Sequence, residues 1–265
     1  MRLATLLAAI LLLSIGPAAR AADPAVLKEL APTGKLRVGV AYGPVPTPVF
    51  VVKQADGTVR GVTYDLGVAL ARSLGVPVEV VAKPNTGDLT EACANGSIDI
   101  GFMPADEERR KRVDFSPPYF TIESTYLVTA ASGIRTMTEV DRPDVTVVGI
   151  TGTATVRAAG RSLKAAKIVT VPSVDEAMAM MKAGTVQAFA LTHDSLPPLQ
   201  KTLSGSRILE GAYLTVGVAI GVQKNKPAAL AYVSNFVERA KRDGLLRRAF
   251  DAAGLQDLPI APPAR

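Results

Sequence analysis

Short apolar segments alternate with amphipathic helical segments along most of this 265-residue chain. The apolar segment LRVGVAYG, which starts at Leu36, and the later segment VPVEVVA have the composition of strands. Between them, Asp65 to Leu74 carries apolar residues at helical spacing, and Gly75 ends the pattern. Strands that alternate with helices of about 10 to 12 residues favour a parallel sheet covered by helices, so the sequence predicts an α/β fold.

The same order recurs in the second half of the chain. Asp144 to Ile150 (DVTVVGI) is predicted to form a strand, and a glycine-containing turn leads from it into a helix. The segments AKIVTV, SVDEAMAMMKAG and TVQAFAL then predict a strand, a helix that ends at Gly184, and a further strand. STYLVTAASG separates the two runs, so we expect two lobes, each with a mostly parallel sheet flanked by helices.

Residues 1–21 have the features of a secretory signal peptide. Arg2 precedes an apolar run from Leu3 to Ile15, and the small residues around Arg20 resemble a cleavage site. The run is too short for a membrane span, which needs about 20 residues. We therefore expect cleavage near Ala21 and export to the periplasm.

Charge and composition exclude several classes of site. Removing Arg2 and Arg20 with the signal peptide leaves 28 basic against 24 acidic residues, a net charge of +4 that is weak evidence for nucleic-acid binding. Cys93 and His193 are the only residues of their types, so an internal disulfide and a cysteine–histidine zinc site are excluded. We expect a buried, structural Cys93, no metal, no cofactor, no nucleic-acid partner and a monomer.

Several motifs occur in an order that is similar to one protein family. GVTYDLGVALARSLGVPVEVV resembles its G-F-x-x-D-L helix and the strand after it, and GSIDIGFM resembles its G-x-x-D strand. ERRKRVDFSPPYF matches the signature E-R-x-x-x-V-D-F-S-x-P-Y-F almost position for position. TVVGITGTATVRAAG resembles V-G-V-x-x-G-T-T. Together the motifs resemble the extracytoplasmic solute-binding proteins of polar amino-acid ABC transporters, bacterial solute-binding protein family 3.

The resemblance implies a two-lobed periplasmic-binding-protein fold of type II. Lobe 1 would comprise residues 22–125 and 218–265, and lobe 2 residues 126–217, with two crossover strands between them. The ligand would lie between the lobes, which close on it by bending at a hinge. The implied function is capture of a small carboxylate-bearing solute, an amino acid or a related organic acid, and delivery to an ABC-transporter permease at the inner membrane.

The basic run Arg109 to Arg112 has two interpretations. By composition alone, all four residues would be surface charge. In the resembled family, the arginine of the signature binds the ligand carboxylate, and by position that residue is Arg109. A guanidinium suits this role because its paired donors match a carboxylate and it keeps its charge in a closed cleft. The rest of the run would be the solvated face of a short helix.

Two further segments are candidates for ligand contact. Thr151, Gly152 and Thr153 precede a predicted helix, where free backbone N–H groups, the helix dipole and a hydroxyl favour an anion. A plain helix cap is the alternative. Tyr42 follows the first strand, where the family often offers an aromatic residue to the ligand. Core packing of Tyr42 is equally compatible with the sequence.

The sequence departs from the family pattern on the amine side of the site. Phe102 and Met103 stand where the family has small hydroxyl residues, which suggests a less polar pocket. Thr192 stands where the family has an aspartate that pairs with the α-amino group, and Asp194 could substitute only if the strand end shifts. A buried ammonium without a carboxylate partner is costly, so an amino acid bound unusually, an organic acid and another small anion all stay open.

Two other functions remain alternatives to the receptor. Some relatives on this scaffold are cyclohexadienyl dehydratases, although no residue here marks that chemistry, and fold similarity alone does not decide function. A receptor that presents its closed form to a signalling partner is the third hypothesis. We expect a binding protein without catalytic residues.

Overall fold

The computed structural model describes residues 23–263; the predicted signal peptide, residues 1–21, lies outside the described residues. The strands are β1 (Leu36–Ala41), β2 (Val52–Lys53), β3 (Val59–Arg60), β4 (Val78–Lys83), β5 (Ile100–Pro104), β6 (Val113–Phe115), β7 (Phe120–Val128), β8 (Thr146–Ile150), β9 (Lys167–Val171), β10 (Ala188–Thr192), β11 (Arg207–Ile208) and β12 (Leu214–Gln223). The helices are α1 (Pro24–Leu30), α2 (Val62–Leu74), α3 (Thr86–Ala94), α4 (Glu107–Arg110), α5 (Ala154–Ser162), α6 (Val174–Lys182), α7 (Leu196–Gln200), α8 (Pro227–Arg242) and α9 (Leu245–Ala252). The predicted α/β fold is confirmed.

Helix α2 begins earlier than the sequence pattern indicates. It starts at Val62 rather than at Asp65, because the polar residues of its first turn hide the helical period. Gly61 precedes it with φ = 146°, a conformation that favours glycine. A Cβ at Gly61 would lie 2.1 Å from the carbonyl oxygen of Phe50, so only glycine fits at the residue that precedes the helix.

The main sheet joins two parallel halves through two antiparallel strands. Its strand order is β4-β1-β5-β12-β7-β10-β8-β9, with β6 beside β12 and β11 beside β7. β1 pairs in parallel with β4 and β5, and β8 pairs in parallel with β9 and β10. β12 and β7 are antiparallel to each other and to the halves that they join. Both halves are therefore tied to one central strand pair.

The hydrophobic cores divide in the same way. One large core takes residues from both ends of the chain, from Val26 to Ile122 and from Val216 to Phe250, and we call this part lobe 1. Two further cores, drawn from between Tyr126 and Leu209, contain residues of β8 and β10, and we call this part lobe 2. This confirms a two-lobed α/β architecture, while the division at residues 125/126 and 217/218 stays a prediction.

The central strands bring the two lobes together at one position. Ser124 of β7 is paired with Thr192 of β10 on one side and with Leu214 of β12 on the other. The side chain of Ser124 is buried. The carboxyl end of β10 is thereby held next to the strands that connect the lobes.

None of the helices between residues 23 and 263 combines the length and the hydrophobicity needed to cross a membrane.

Cys93 is buried in a smaller core of lobe 1, as predicted, and burial raises the pKa of its thiol to about 12.

Candidate ligand-binding site between the lobes

A cavity of about 170 Å³ lies between the lobes, and we call it the inner cavity. It is formed mainly at the carboxyl ends of the parallel strands of both lobes, where ligands of open α/β sheets bind. No charged side chain of residues 23–263 lines it. Its walls include Tyr42, Pro84, Asn85, Thr86 and Pro104 from lobe 1, and Ile150, Thr151, Thr153, Pro172 and Thr192 from lobe 2.

A larger and more open cleft of about 620 Å³ adjoins the inner cavity, and we call it the outer cleft. The two share Asn85, Thr151 and Pro172 as lining residues. In contrast to the inner cavity, the outer cleft is lined by charged side chains of both signs. These are Asp88, Glu91, Glu108, Arg109, Arg112 and Arg157.

Arg109 is a buried residue at the boundary between the lobes. It is only 3% exposed, whereas Arg110, Lys111 and Arg112 are exposed, so the basic run divides as the signature implies. Its guanidinium donates to five acceptors at 2.8–3.3 Å. The acceptors are Thr90 Oγ1, Thr86 Oγ1, the Pro104 carbonyl, Asp106 Oδ2 and, across the boundary, the Gly152 carbonyl. Burial lowers the pKa of Arg109 to about 10, so it is charged at neutral pH.

Asp106 is the ionic partner of Arg109. Its Oδ1 caps α4 by accepting from the backbone N–H of Arg109 at 3.0 Å, and its Oδ2 accepts from Nη1 of Arg109 at 2.9 Å. Oδ2 also accepts from Nη2 of Arg157, which lies on α5 of lobe 2. Burial alone would raise the pKa of Asp106, but Arg109 and Arg157 outweigh it and hold this pKa below its ordinary value. Asp106 is therefore a carboxylate at neutral pH that joins the lobes.

The loop before α5 presents backbone groups to the boundary. Thr153 caps α5, since its Oγ1 accepts from the Val156 N–H at 3.3 Å, and it donates to the Ile150 carbonyl at 2.7 Å. Gly152 has φ = 77°, a left-handed conformation that favours glycine. Thr153 takes up the N–H of Val156, whereas the N–H groups of Ala154 and Thr155 have no acceptor within the helix and can serve as donors at the boundary.

Tyr42 and Thr192 line opposite sides of the inner cavity. Tyr42 also packs partly against the lobe 1 core, and its contact with a ligand stays a prediction. Thr192 Oγ1 donates to Ser195 Oγ at 2.8 Å. Asp194 is exposed and belongs to the lining of neither the inner cavity nor the outer cleft. Thr192 is the last residue of β10, and the chain continues into the 3-10 helix His193–Ser195, which places Asp194 outside the inner cavity.

Phe102 and Met103 belong to the cores rather than to the cleft. Phe102 packs edge-on against Tyr119 in the main core, and Met103 accepts a hydrogen bond from Thr90 through its sulfur at 3.2 Å. The reason is that β5 is buried on both faces, so its side chains alternate between two cores. Only the last residue of β5, Pro104, reaches the inner cavity.

Sequence reasoning missed several residues of the site. Asn85 and Thr86 follow β4, and Pro172 follows β9, so the rule that ligands meet strand ends could have indicated them. Asp106 stands three residues before Arg109, a spacing typical of a helix cap. No local sequence pattern indicates Arg157, because its contact with Asp106 depends on how the two lobes meet.

The chain is similar in sequence to proteins of two kinds. It is 27% identical over 209 residues to the glutamine-binding protein of Geobacillus stearothermophilus, which covers 75% of this chain and 76% of the relative. It is 30% identical over 167 residues to the membrane-bound lytic murein transglycosylase F of Maricaulis maris (strain MCS10). That match covers 61% of this chain, and the chain spans about a third of the transglycosylase, 35% of its length.

A solved structure agrees with the fold. An ancestral amino acid-binding protein, described as a precursor of cyclohexadienyl dehydratase, superposes with a TM-score of 0.69 and 29% identity, over 85% of this chain and 98% of its own. Residues 36–252 match the family of bacterial extracellular solute-binding proteins, family 3. A two-lobed α/β protein with a cavity between its lobes, matched to this family over most of its length, belongs to the bacterial extracellular solute-binding proteins, family 3.

Proposed function

We propose that the protein is a periplasmic receptor that binds an amino acid or a related organic acid between its lobes and delivers it to an ABC permease. The observation that carries this proposal is the inner cavity, which is enclosed by both lobes, has the start of α5 in its wall and adjoins the outer cleft that Arg109 lines. A solute held there contacts both lobes at once. Binding therefore favours the arrangement in which the lobes are together, which a permease can recognise.

The ligand carboxylate is proposed to lie at the junction between the inner cavity and the outer cleft. Thr151 lines both spaces, and the N–H groups at the start of α5 favour an anion there. Arg109 is the proposed charged donor, because it lines the outer cleft and its partners Thr86 and Pro104 line the inner cavity. The remainder of the ligand would occupy the uncharged walls of the inner cavity.

The amine side of the ligand is the open chemical question. Where the family pattern has an aspartate, Thr192 lines the cavity, and no carboxylate of residues 23–263 joins it there. An α-ammonium group would depend on neutral acceptors such as the hydroxyl of Thr192. An acid without an amine needs no such acceptor, so the lining of the inner cavity favours a weakly polar organic acid over a zwitterion.

A thermal-shift screen of the purified protein tests this proposal. The protein is first unfolded and refolded to remove carried-over ligand. The panel then pairs each common L-amino acid with its deaminated acid, and adds opines, small dicarboxylates and aromatic acids. A ligand at 100 times its dissociation constant stabilises the fold by about 2.7 kcal/mol, which a melting curve resolves. Stabilisation by none of these compounds would contradict the proposal.

The proposed function has no catalytic step. The same refolded protein should leave prephenate and arogenate unchanged after prolonged incubation, as followed by chromatography. Product formation at catalytic turnover would replace the receptor with an enzyme. The monomer and the periplasmic location belong to this proposal too, and they are checked by light scattering and by fractionation of cells that express the full chain.

A further inference from the structure

Asp106 and Arg157 connect the lobes directly beside the proposed carboxylate position. Oδ2 of Asp106 accepts from Arg109 of lobe 1 and from Arg157 of lobe 2. The side chain of Asp106 is 5% exposed and that of Arg157 is 27% exposed. The carbonyl of Gly152 completes the bridge, since it accepts from Nη2 of Arg109 at 3.3 Å and from Nη1 of Arg157 at 3.0 Å.

Arg109 has no free donor for a ligand in this arrangement. A guanidinium carries five N–H groups, and each of those of Arg109 has an acceptor in the protein. Separation of the lobes would remove only the acceptor from lobe 2, the Gly152 carbonyl. A ligand carboxylate can therefore receive paired hydrogen bonds from Arg109 only if acceptors of the protein give way, and Asp106 is the one among them that carries a negative charge, as the ligand does.

The charges of the cluster do not balance. Two guanidinium groups share the single carboxylate of Asp106, and Nε of Arg157 is buried without a hydrogen-bond partner among residues 23–263. Two nearby carboxylates of the outer cleft have cations of their own, since Glu91 pairs with Arg112 and Glu108 pairs with Lys111. Asp88 accepts from the neutral amide of Asn85 and forms no salt bridge with either arginine of the cluster. Asp106, Arg109 and Arg157 together thus carry one positive charge in excess.

We propose that Asp106 is a built-in carboxylate that occupies an anion site made by Arg109 and Arg157, and that a ligand carboxylate binds by displacing it. This inference rests on the proposed function, because it concerns how a ligand carboxylate enters the same site. It assigns two new roles. Arg157 contributes to ligand affinity from lobe 2, and Asp106 sets the affinity threshold that an anionic ligand must exceed.

The variant Asp106→Asn tests the competition directly. Asparagine keeps the shape of the side chain and the helix-capping oxygen but removes the charge. Acetate is the probe, acetamide is its uncharged counterpart, and melting curves or NMR titration give the affinities. We expect Asp106→Asn to bind acetate at least about tenfold more tightly than the original protein, with no gain for acetamide. Asp114→Asn is the matched control, since Asp114 pairs with Lys224 and with neither arginine of the cluster.

The variant Arg157→Gln separates competition from a merely structural role. Competition predicts opposite signs, with tighter acetate binding in Asp106→Asn and weaker acetate binding in Arg157→Gln. A structural role of the cluster predicts weaker binding in both variants, and that result would overturn the inference, as would unchanged affinity in both. Should Asp106→Asn fold poorly, Asp106→Ser, which retains a capping oxygen, replaces it.

Small-angle X-ray scattering gives a readout that needs no ligand. With the bridge removed, both Asp106→Asn and Arg157→Gln should show a larger radius of gyration than the original protein after stripping. Equal radii in all three proteins would contradict a role of Asp106 in holding the lobes together. Acetate reports on the anion site alone, so failure of the amino-acid screen and failure of this inference are distinguishable results.

Discussion

Arg109 and Lys111, two positions apart in the basic run, differ in burial and in the kind of ion pair that they form. Arg109 is buried and pairs with Asp106, whereas Lys111 pairs with Glu108 where both side chains are about half exposed. A buried ion pair cannot lose one partner without leaving an uncompensated charge in a poorly solvated place. An exposed pair exchanges its partner for water at little cost. The contribution of a basic residue to stability therefore follows from its burial, not from its position in a basic run.

Arg109→Ala should lower the free energy of unfolding by about 3 kcal/mol. Asp106 keeps its contact with Arg157, so the loss comes mainly from the buried lobe 1 acceptors that lose their hydrogen bonds to Arg109. Urea unfolding followed by far-UV circular dichroism measures it. Lys111→Ala is the control, and we expect it to change stability by less than about 0.5 kcal/mol. Equal stability of both variants would show that the Arg109 pair contributes nothing to the fold.

Two helices show how a glycine is used differently according to the face on which it lies. Gly67 of α2 is buried, and a Cβ there would lie 2.5 Å from Cγ1 of Val38 on β1. Val38 is itself buried and β-branched, so it has little freedom to move away. Gly160 of α5 is exposed, and a Cβ there would meet only Ile168 Cδ1 at 3.7 Å. The first glycine allows close helix–sheet packing, and the second only weakens its helix.

Alanine at these two positions should change stability in opposite directions. Gly67→Ala is expected to destabilise by about 1–3 kcal/mol, because it forces α2 away from the sheet. Gly160→Ala is expected to stabilise by about 0.5–1 kcal/mol, because alanine restricts the unfolded chain and favours the helix. Thermal and urea unfolding of the two variants give both values. The same sign for both substitutions would refute this account of the α2 packing.

The order of strands and helices was predictable from the sequence. Which of their side chains point toward the cleft and which toward the cores was predictable only in part. Periodicity and glycine stops locate the strands and helices that carry Thr151 and Thr192 to the cleft. The prediction that Phe102 and Met103 line the pocket was wrong, since both side chains lie in hydrophobic cores. Every residue of β5 is buried, so no alternation of polar and apolar residues indicates which side chains face the cleft. The contact between Asp106 and Arg157 depends on how the lobes meet, which no local pattern encodes.

At the scale of the molecule, the two lobes share a continuous sheet. β7 pairs with β10 of lobe 2 and with β12, and β12 continues into pairing with β5 of lobe 1. Unfolding either lobe would expose hydrogen-bonding edges of strands that the other lobe uses. The two lobes therefore share the backbone hydrogen bonds that hold each of them together.

We therefore expect the protein to unfold in one cooperative transition. The chain contains no tryptophan, so a single introduced tryptophan reports on one lobe. Tyr232→Trp reports on lobe 1 and Tyr213→Trp on lobe 2, since these tyrosines pack against the respective cores. In each variant, tryptophan fluorescence and far-UV circular dichroism should give the same urea midpoint. Separate midpoints would indicate that the lobes unfold independently.

The position of the inner cavity also affects how this protein can acquire a new ligand. Most of its walls, including Pro84 and Pro172, lie at or just beyond the ends of strands. Substitutions at such places alter shape and polarity without changing strand pairing or the buried cores. Ligand preference can thus evolve, or be redesigned for a biosensor, largely independently of fold stability.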